Sequence, residues 1–173
     1  METWDILDEN GNITGKTMNK GDKTVWQKGI YHPAADVWII NSENKLLIQK
    51  RSSQKKFEPN VWSMTGGNVI KGETSLETLK RETMEELGVN LDVKSAVKLN
   101  RFKTDNVWVE EYIIRQDIDL NKVVLQKEEV SDVKYASFEE IDELVQNKSF
   151  IRNRWEFVRE EIVISIIWSI LST

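Results

Sequence analysis

The sequence contains no cysteine. Disulfide bonds, thiolate metal sites and thiol catalysis are therefore excluded for this chain. Long apolar runs are missing as well, because the longest, residues 162–171, is too short to span a bilayer and is interrupted by serines. Histidine occurs only once, as His32. These absences predict a protein that does not cross a membrane and that works without thiol chemistry.

Length and charge narrow the possibilities further. The chain has 173 residues, 39% hydrophobic and 31% charged, as is usual for one folded domain with a substantial core. Its net charge of −5 argues against a nucleic-acid or anionic-membrane binder. The opening METWDILDENGN is acidic and polar, so we expect no signal peptide and a cytoplasmic location. We predict a single domain over residues 1–173.

Alternating apolar residues and turn signals predict the order of the elements. An N-terminal hairpin is expected within residues 1–30, and an edge strand over residues 24–31. The segments ADVWIIN and KLLIQKR predict a central hairpin. Later strands are expected at residues 61–64, 91–104, 107–116 and 133–136. Helices are expected from Ser137 to about Val145 and over residues 150–172. The second half of the latter is apolar nearly all round, so we expect it to be buried in the domain or against a partner.

The stretch GGNVIKGETSLETLKRETMEELGV, residues 66–89, predicts a helix rich in acids. Thr74 and Glu77 form a capping-box pattern and Gly88 suits a left-handed helix end, so the helix should cover residues 75–87. The face expected to be buried carries Leu76, Leu79, Thr83 and Leu87. A neighbouring face carries Glu82, Glu85 and Glu86, because residues three and four apart are neighbours on a helix.

Three carboxylates on one helical face repel each other, and they lie at the helix end that disfavours negative charge. Acid-rich faces are usually just solvated. A hard divalent cation such as Mg²⁺ or Mn²⁺ would offset the repulsion, since such ions prefer oxygen ligands. The acids alone therefore leave two interpretations open, a solvated face and a metal site.

The full spacing resembles the Nudix box, the signature G-x5-E-x7-R-E-U-x-E-E-x-G-U, in which U is a bulky aliphatic residue. The matching positions are Gly67, Glu73, Arg81, Glu82, Glu85, Glu86, Gly88 and Val89. Thr83 departs from the pattern, since an aliphatic residue is usual there. Threonine is β-branched and about the size of valine, so it can pack on the same face, with its hydroxyl bonded to the i−4 carbonyl.

The resemblance extends beyond the box, over roughly residues 3–145, to the branch of Nudix proteins that includes the isopentenyl diphosphate isomerases. It implies an α/β/α sandwich with a mixed β-sheet. It also implies a Mg²⁺-dependent pyrophosphohydrolase, with Mn²⁺ as a possible substitute, acting on a small nucleoside diphosphate linked to another group. The isomerase is a poorer alternative, since it needs a cysteine and several histidines, and a catalytically silent nucleotide-binding module is another. A homodimer is possible, through the N-terminal hairpin or the C-terminal helix.

The resemblance also implies roles for individual residues. Glu82, Glu85 and Glu86 would be metal ligands, joined by a backbone carbonyl of Gly66 or Gly67. Glu73 and Arg81 would pair and hold the loop onto the helix. The general base stays open between Glu86 and four acids outside the box: Glu110, Glu111, Glu128 and Glu129.

Four further residues are weaker candidates. Arg51 and Lys50 end the central hairpin and could contact phosphate, and a guanidinium matches phosphate better than an ammonium does. Trp62 could stack on a base, although aromatic residues in strands are more often part of the core. His32 could touch metal or phosphate, but a hydrogen-bonded structural role is more usual beside Pro33.

Overall fold

The structure, a computed structural model, describes residues 2–23, 27–151 and 154–171. Strands β1 (Thr3–Leu7) and β2 (Ile13–Asn19) pair antiparallel and form a small sheet of their own. Trp4, Ile6 and Met18 bury their side chains beneath this pair. The predicted N-terminal hairpin is confirmed.

The strand predicted over residues 24–31 is wrong in its described part. Residues 27–30 contain a turn, and Tyr31 makes only an isolated bridge to Leu7. Ile30 donates its amide to the carbonyl of Gln27 at 3.2 Å, which closes the turn and takes this segment out of any ladder. Residues 24–26 lie outside the described residues.

Seven further strands form one mixed sheet within the described residues. They are β3 (His32–Ile40), β4 (Leu46–Arg51), β5 (Trp62–Ser63), β6 (Thr65–Asn68), β7 (Val97–Lys103), β8 (Val107–Arg115) and β9 (Val130–Ala136). The main order is β5-β4-β3-β8-β7, with β6 paired to β3 and β9 paired to β4. Strand β8 runs parallel to β3, whereas the other pairs are antiparallel.

The predicted central hairpin is confirmed as β3 and β4, with the Asn41 side chain accepting two amides of the connecting turn. Two strand starts are displaced. Strand β7 begins at Val97 rather than at residue 91, because residues 93–95 form a 3₁₀ turn capped by Asp92. Strand β9 begins at Val130 rather than at residue 133 and pairs with β4 along its length.

Three helices are described: α1 (Ser75–Leu87), α2 (Phe138–Gln146) and α3 (Trp155–Leu171). The first two agree with the predictions. The helix predicted over residues 150–172 starts too early, because Phe150 forms a parallel bridge with Trp62 and Ile151 donates its amide to the Trp62 carbonyl at 2.8 Å. The backbone here extends the sheet edge, and the helix follows it.

The sheet lies between two helical layers. Successive side chains of a strand point to opposite faces of the sheet, so they contact different layers. Val37 and Ile39 of β3 face the layer of α1, where they meet Leu79 and Leu87. Trp38 and Ile40 face the opposite layer, which α2 and α3 cover. This arrangement is an α/β/α sandwich with a mixed sheet, as predicted.

The second half of α3 is only partly covered within the described chain. Ile162 is fully buried, but Ile164, Ile167 and Trp168 expose 54%, 49% and 68% of their surface. The expectation that this half is buried in the domain is therefore wrong. The alternative expectation, burial against a partner, stays a prediction. Among the described residues, no helix is long and apolar enough to cross a membrane.

Candidate active site

Helix α1 has the caps that its sequence predicts. The Thr74 hydroxyl accepts the Glu77 amide, and the Glu77 carboxylate accepts the Thr74 amide at 2.7 Å. Gly88 ends the helix with φ at 68°, a left-handed conformation that glycine adopts without strain. Thr83 is buried and donates its hydroxyl to the Leu79 carbonyl at 2.7 Å, so the one departure from the aliphatic pattern packs without an unpaired group.

The two glycines before the helix lie in β6 and allow close packing on both sides. A Cβ atom at Gly66 would lie 2.6 Å from the Ala35 carbonyl oxygen and 2.2 Å from Oδ1 of Asp36. A Cβ atom at Gly67 would lie 2.3 Å from the Glu82 carboxylate. Side chains at these positions would occupy space that β3 and Glu82 already fill, which is a physical reason for glycine at both.

Arg81 joins the loop to the helix. Its guanidinium donates to both carboxylate oxygens of Glu73, at 2.9 and 3.1 Å, and to the Asn68 carbonyl at 3.3 Å. It also donates to Glu82 at 2.7 Å and to Glu85 at 3.3 Å. The hydrogen bonds from Arg81 hold the pKa of Glu73 below its usual range. The predicted pairing of Glu73 with Arg81 is present in the geometry.

Glu86 is held differently from the other two acids of the cluster. It is 9% exposed, and its Oε2 accepts Nε2 of Gln49 at 2.6 Å. Oε1 of Gln49 in turn accepts the Thr65 hydroxyl at 3.0 Å. Burial raises the pKa of Glu86 to about 7, opposed by the hydrogen bond from Gln49. Burial also raises the pKa of Glu82, opposed by Arg81.

A divalent cation fits this set of groups. Burial raises the pKa of two acids on the same helix, the donors are all oxygen, and the Glu82 carboxylate lies directly against Gly67. In residues 2–23, 27–151 and 154–171, no three acids or histidines already converge on one point. The carboxylates of Glu82 and Glu85 contact the Arg81 guanidinium, and the carboxylate of Glu86 contacts Gln49. A cation would therefore have to draw Glu82 and Glu85 away from Arg81.

The four acids outside the box lie in different environments. Glu129 is paired with Lys55, and both are close enough to Glu86 to shift its pKa. Glu110 pairs with Lys98 and accepts Ser75 and Tyr112.

Glu111 is fully buried and accepts Trp38 Nε1, which places it on the face away from α1. Glu128 is exposed and adjoins the turn into β9. Of these four acids, Glu129 lies close enough to the acid cluster for its charge to raise the pKa of Glu86.

The three weaker binding candidates do not gather at the acids. Lys50 and Trp62 are Cα partners in the β4–β5 ladder, and the Trp62 ring packs on the core under α2 and α3, with the Lys134 ammonium 5.1 Å from its centroid. Arg51 donates to the carbonyls of Phe57 and Glu58, so it closes the loop that follows β4. Binding roles for these residues stay predictions.

His32 links the N-terminal hairpin to the end of strand β6. Its ring stacks on Trp4 with centroids 4.7 Å apart, and Nε2 lies 3.1 Å from Oδ1 of Asn68. Burial lowers the pKa of His32, so the neutral ring is favoured at physiological pH. A second link joins the same elements, since the Lys71 amide donates to the Thr3 carbonyl at 2.8 Å. These contacts favour a structural role for His32, and a contact with metal or phosphate stays a prediction.

Sequence reasoning missed Gln49, Thr65 and Lys55. A signal for Gln49 is present in the sequence, because it is the one polar residue in the run LLIQ, at a position where a strand buried on both faces would be apolar. Nothing local marks Lys55 among the polar residues of its loop.

Comparisons with known proteins agree with this arrangement. Residues 30–160 match the model of the NUDIX domain family. An uncharacterised Nudix hydrolase of Listeria monocytogenes is 37% identical over 152 residues, covering 87% of this chain and 89% of that protein. The isopentenyl-diphosphate Delta-isomerase of Pectobacterium atrosepticum is 32% identical over 140 residues, covering 79% and 76%.

A crystal structure of a Deinococcus radiodurans protein superposes with a TM-score of 0.76 at 24% identity, over 92% of this chain and 98% of that one. At that identity the likeness bears on the fold alone. The domain match, the relatives and the arrangement around α1 together establish that this chain belongs to the Nudix hydrolase family and is a hydrolase that acts on pyrophosphate bonds.

Proposed function

We propose that this chain is a Mg²⁺-dependent pyrophosphohydrolase that cleaves the P–O–P linkage of a nucleoside diphosphate joined to another group. The observation that carries the proposal is the position of Glu82, Glu85 and Glu86 on one end of α1, with Gly67 directly against the Glu82 carboxylate. Nudix hydrolases generally need a divalent metal, and the family acts on nucleotide derivatives. The oxygen-only donor set favours Mg²⁺, with Mn²⁺ as a substitute.

The acids of α1 and the glycines of β6 would have different roles in this reaction. Glu82, Glu85 and Glu86 would hold the metal together with the Gly67 carbonyl, and Arg81, paired with Glu73, fixes the end of β6 through the Asn68 carbonyl. Bound there, the ion would neutralise phosphate charge and lower the pKa of the attacking water. Arg81 would give up its contacts with Glu82 and Glu85 to the ion, whereas its two hydrogen bonds to Glu73 do not involve the proposed metal ligands.

Two residues are candidates to take the proton from the attacking water. Glu86 is buried at the cluster, and the burial that raises its pKa also makes it a stronger acceptor of a proton than an exposed carboxylate. Glu129 approaches from the loop before β9, where Lys55 holds its carboxylate and Ser52 donates an amide to its carbonyl at 2.8 Å. The choice between them stays open, because a metal-bound Glu86 and a Glu129 paired with Lys55 would both accept a proton poorly.

Hydrolysis accounts for these residues better than isomerisation does. The resemblance implies that an isomerase needs a cysteine and several histidine ligands, but the chain has no cysteine and a single histidine, whose ring is enclosed between Trp4 and Asn68. A catalytically silent binding module is disfavoured because every charged position of the box is present.

A substrate screen tests the proposal. Nucleoside diphosphate derivatives are incubated with the protein and Mg²⁺ or Mn²⁺, and the phosphate released by a coupled phosphatase is measured. Glu85→Gln and Glu86→Gln should each lower turnover about a hundredfold or more, because each removes charge from the metal-dependent clamp. Glu143→Gln on the exposed surface of α2 is the matched control and should leave turnover unchanged.

Two results would contradict the proposal. Near-normal turnover of Glu85→Gln or Glu86→Gln in Mg²⁺ would remove these residues from the metal site. Conversion of isopentenyl diphosphate to its isomer, followed by NMR, would reject hydrolysis in favour of the alternative reaction.

A further inference from the structure

A chain of buried hydrogen bonds leads from the centre of the sheet to one acid of the cluster. Gln49 lies in β4 between Ser63 of β5 and Val133 of β9, and it is 4% exposed. Its amide contacts Glu86 on one side and Thr65 on the other. A buried polar side chain in the middle of a sheet costs free energy unless it is paired, so both contacts need an explanation.

The partners of Gln49 determine how its amide is oriented. The NH₂ group faces Oε2 of Glu86 at 2.6 Å, the arrangement that an ionised carboxylate requires because it only accepts hydrogen bonds. The amide oxygen then faces Thr65, whose hydroxyl donates to it at 3.0 Å. Thr65 belongs to β6, directly before the two glycines. One amide therefore connects the acid on α1 to the strand that carries the two glycines.

The neutrality of Gln49 distinguishes it from Arg81. Arg81 neutralises Glu82 and Glu85, and these pairs have to open before a cation can take both carboxylates. Gln49 holds Oε2 of Glu86 without supplying charge, so the carboxylate stays attractive to a cation. A lysine or arginine at this position would compete directly with the ion.

We propose that Gln49 is a positioning residue for the metal site: it orients Glu86 as a ligand and couples it, through Thr65, to strand β6, which carries the two glycines. The proposal rests on the metal-binding role proposed above for Glu86. Neither Gln49 nor Thr65 touches the reacting atoms, and both act through Glu86. Residues that orient metal ligands through hydrogen bonds commonly affect metal affinity by about 10–100-fold.

Mn²⁺ binding to the full chain, followed by electron paramagnetic resonance of the free ion without substrate, tests this role. Gln49→Met keeps the length of the side chain and removes both hydrogen bonds, so the Mn²⁺ dissociation constant should rise about tenfold. Thr65→Val removes one hydrogen bond and should raise it less, about threefold. Ser63→Ala is the control: Ser63 is the buried Cα partner of Gln49 in β5, and its loss should leave the dissociation constant unchanged.

A double variant separates positioning from general packing. Because Thr65 acts through Gln49, Gln49→Met combined with Thr65→Val should bind Mn²⁺ no more weakly than Gln49→Met alone. Thermal midpoints in EDTA report packing separately, since a purely structural role would lower them without changing the dissociation constant.

Unchanged Mn²⁺ affinity in Gln49→Met, or fully additive losses in the double variant, would overturn the inference while leaving the proposed function standing. If Gln49→Met does not fold, an unchanged dissociation constant in Thr65→Val overturns it. A wild-type protein that binds no Mn²⁺ would overturn both the inference and the proposed function.

Discussion

Glu111 is a buried acid that the proposed chemistry does not use. Its Oε1 accepts Trp38 Nε1 at 2.9 Å, and its Oε2 has no hydrogen-bond partner. The charged groups around it are Asp36, Arg154 and Glu161, of which Arg154 favours ionisation and the two acids oppose it. Arg154 is nearer to Asp36, with Nε 3.3 Å from Oδ2. Burial outweighs these effects and raises the pKa of Glu111 to about 7.

The raised pKa makes stability depend on pH. With a pKa of about 7 when folded and the ordinary 4.5 when unfolded, the protonated acid contributes stability that is complete below pH 4.5 and is lost as the pH rises through 7. Glu111→Gln keeps an acceptor for Trp38 and removes the titration. Relative to wild type, its free energy of unfolding should improve by about 3 kcal/mol between pH 4.5 and pH 8.

Urea denaturation at several pH values measures this difference. Glu110→Gln on the same strand is the matched control, because Glu110 is partly exposed and its pKa is lowered by Lys98, Ser75 and Tyr112 against the effect of burial. A constant difference between Glu111→Gln and wild type across that pH range would show that Glu111 is charged at neutral pH.

At the scale of elements, strand β6 fits between β3 and helix α1 only because it carries glycines. Gly66 lies against backbone, the Ala35 carbonyl oxygen and the Asp36 Cα, whereas Gly67 lies against the end of the Glu82 side chain. Backbone in a paired strand cannot move aside easily, but the tip of a glutamate can rotate away. The same substitution should therefore have different effects at the two positions.

Gly66→Ala should lower the free energy of unfolding by about 1–3 kcal/mol, because the added methyl group overpacks the β3–β6 pair. Gly67→Ala should change stability less but displace the Glu82 carboxylate and lower turnover. Chemical denaturation and the hydrolysis assay distinguish the two variants. Equal losses of stability would mean that Glu82 is as rigid as the backbone of β3.

Helix α1 shows why its buried face and its caps could be predicted from the sequence alone. Leu79, Thr83 and Leu87 are buried as their spacing predicts, and the caps at Thr74 and Gly88 occur where the sequence marks them. Caps and faces follow from contacts three or four residues apart, so local sequence is sufficient for them. The start of α3 could not be predicted in this way, because the sheet edge at Trp62, nearly 90 residues upstream, holds Phe150 in a bridge.

For the whole molecule, metal binding should appear as added stability. An ion that binds the folded chain and not the unfolded chain stabilises it by about 2.7 kcal/mol at 100 times its dissociation constant. The thermal midpoint should therefore rise with Mg²⁺ concentration, and Glu86→Gln should flatten this rise. Glu143→Gln serves again as the control and should respond like wild type. A midpoint that does not depend on Mg²⁺ in the wild type would argue against the metal site.

The possible homodimer is also a question for the whole molecule. The exposed apolar residues Ile164 and Ile167 on α3 leave it open, and sedimentation velocity measures it directly. It stays a prediction.

The sequence by itself determined the resemblance to the Nudix box, the bounds of α1 and the acid cluster, because each rests on a spacing within one short segment. The layered fold followed from what that resemblance implies. Only the tertiary structure decided which distant groups meet those acids. Gln49 reaches Glu86 from a neighbouring strand, and Lys55 brings Glu129 close, across separations of 37 and 74 residues. Such contacts depend on strand register and loop closure, which arise when the whole sheet packs against the helix, and no local pattern encodes them.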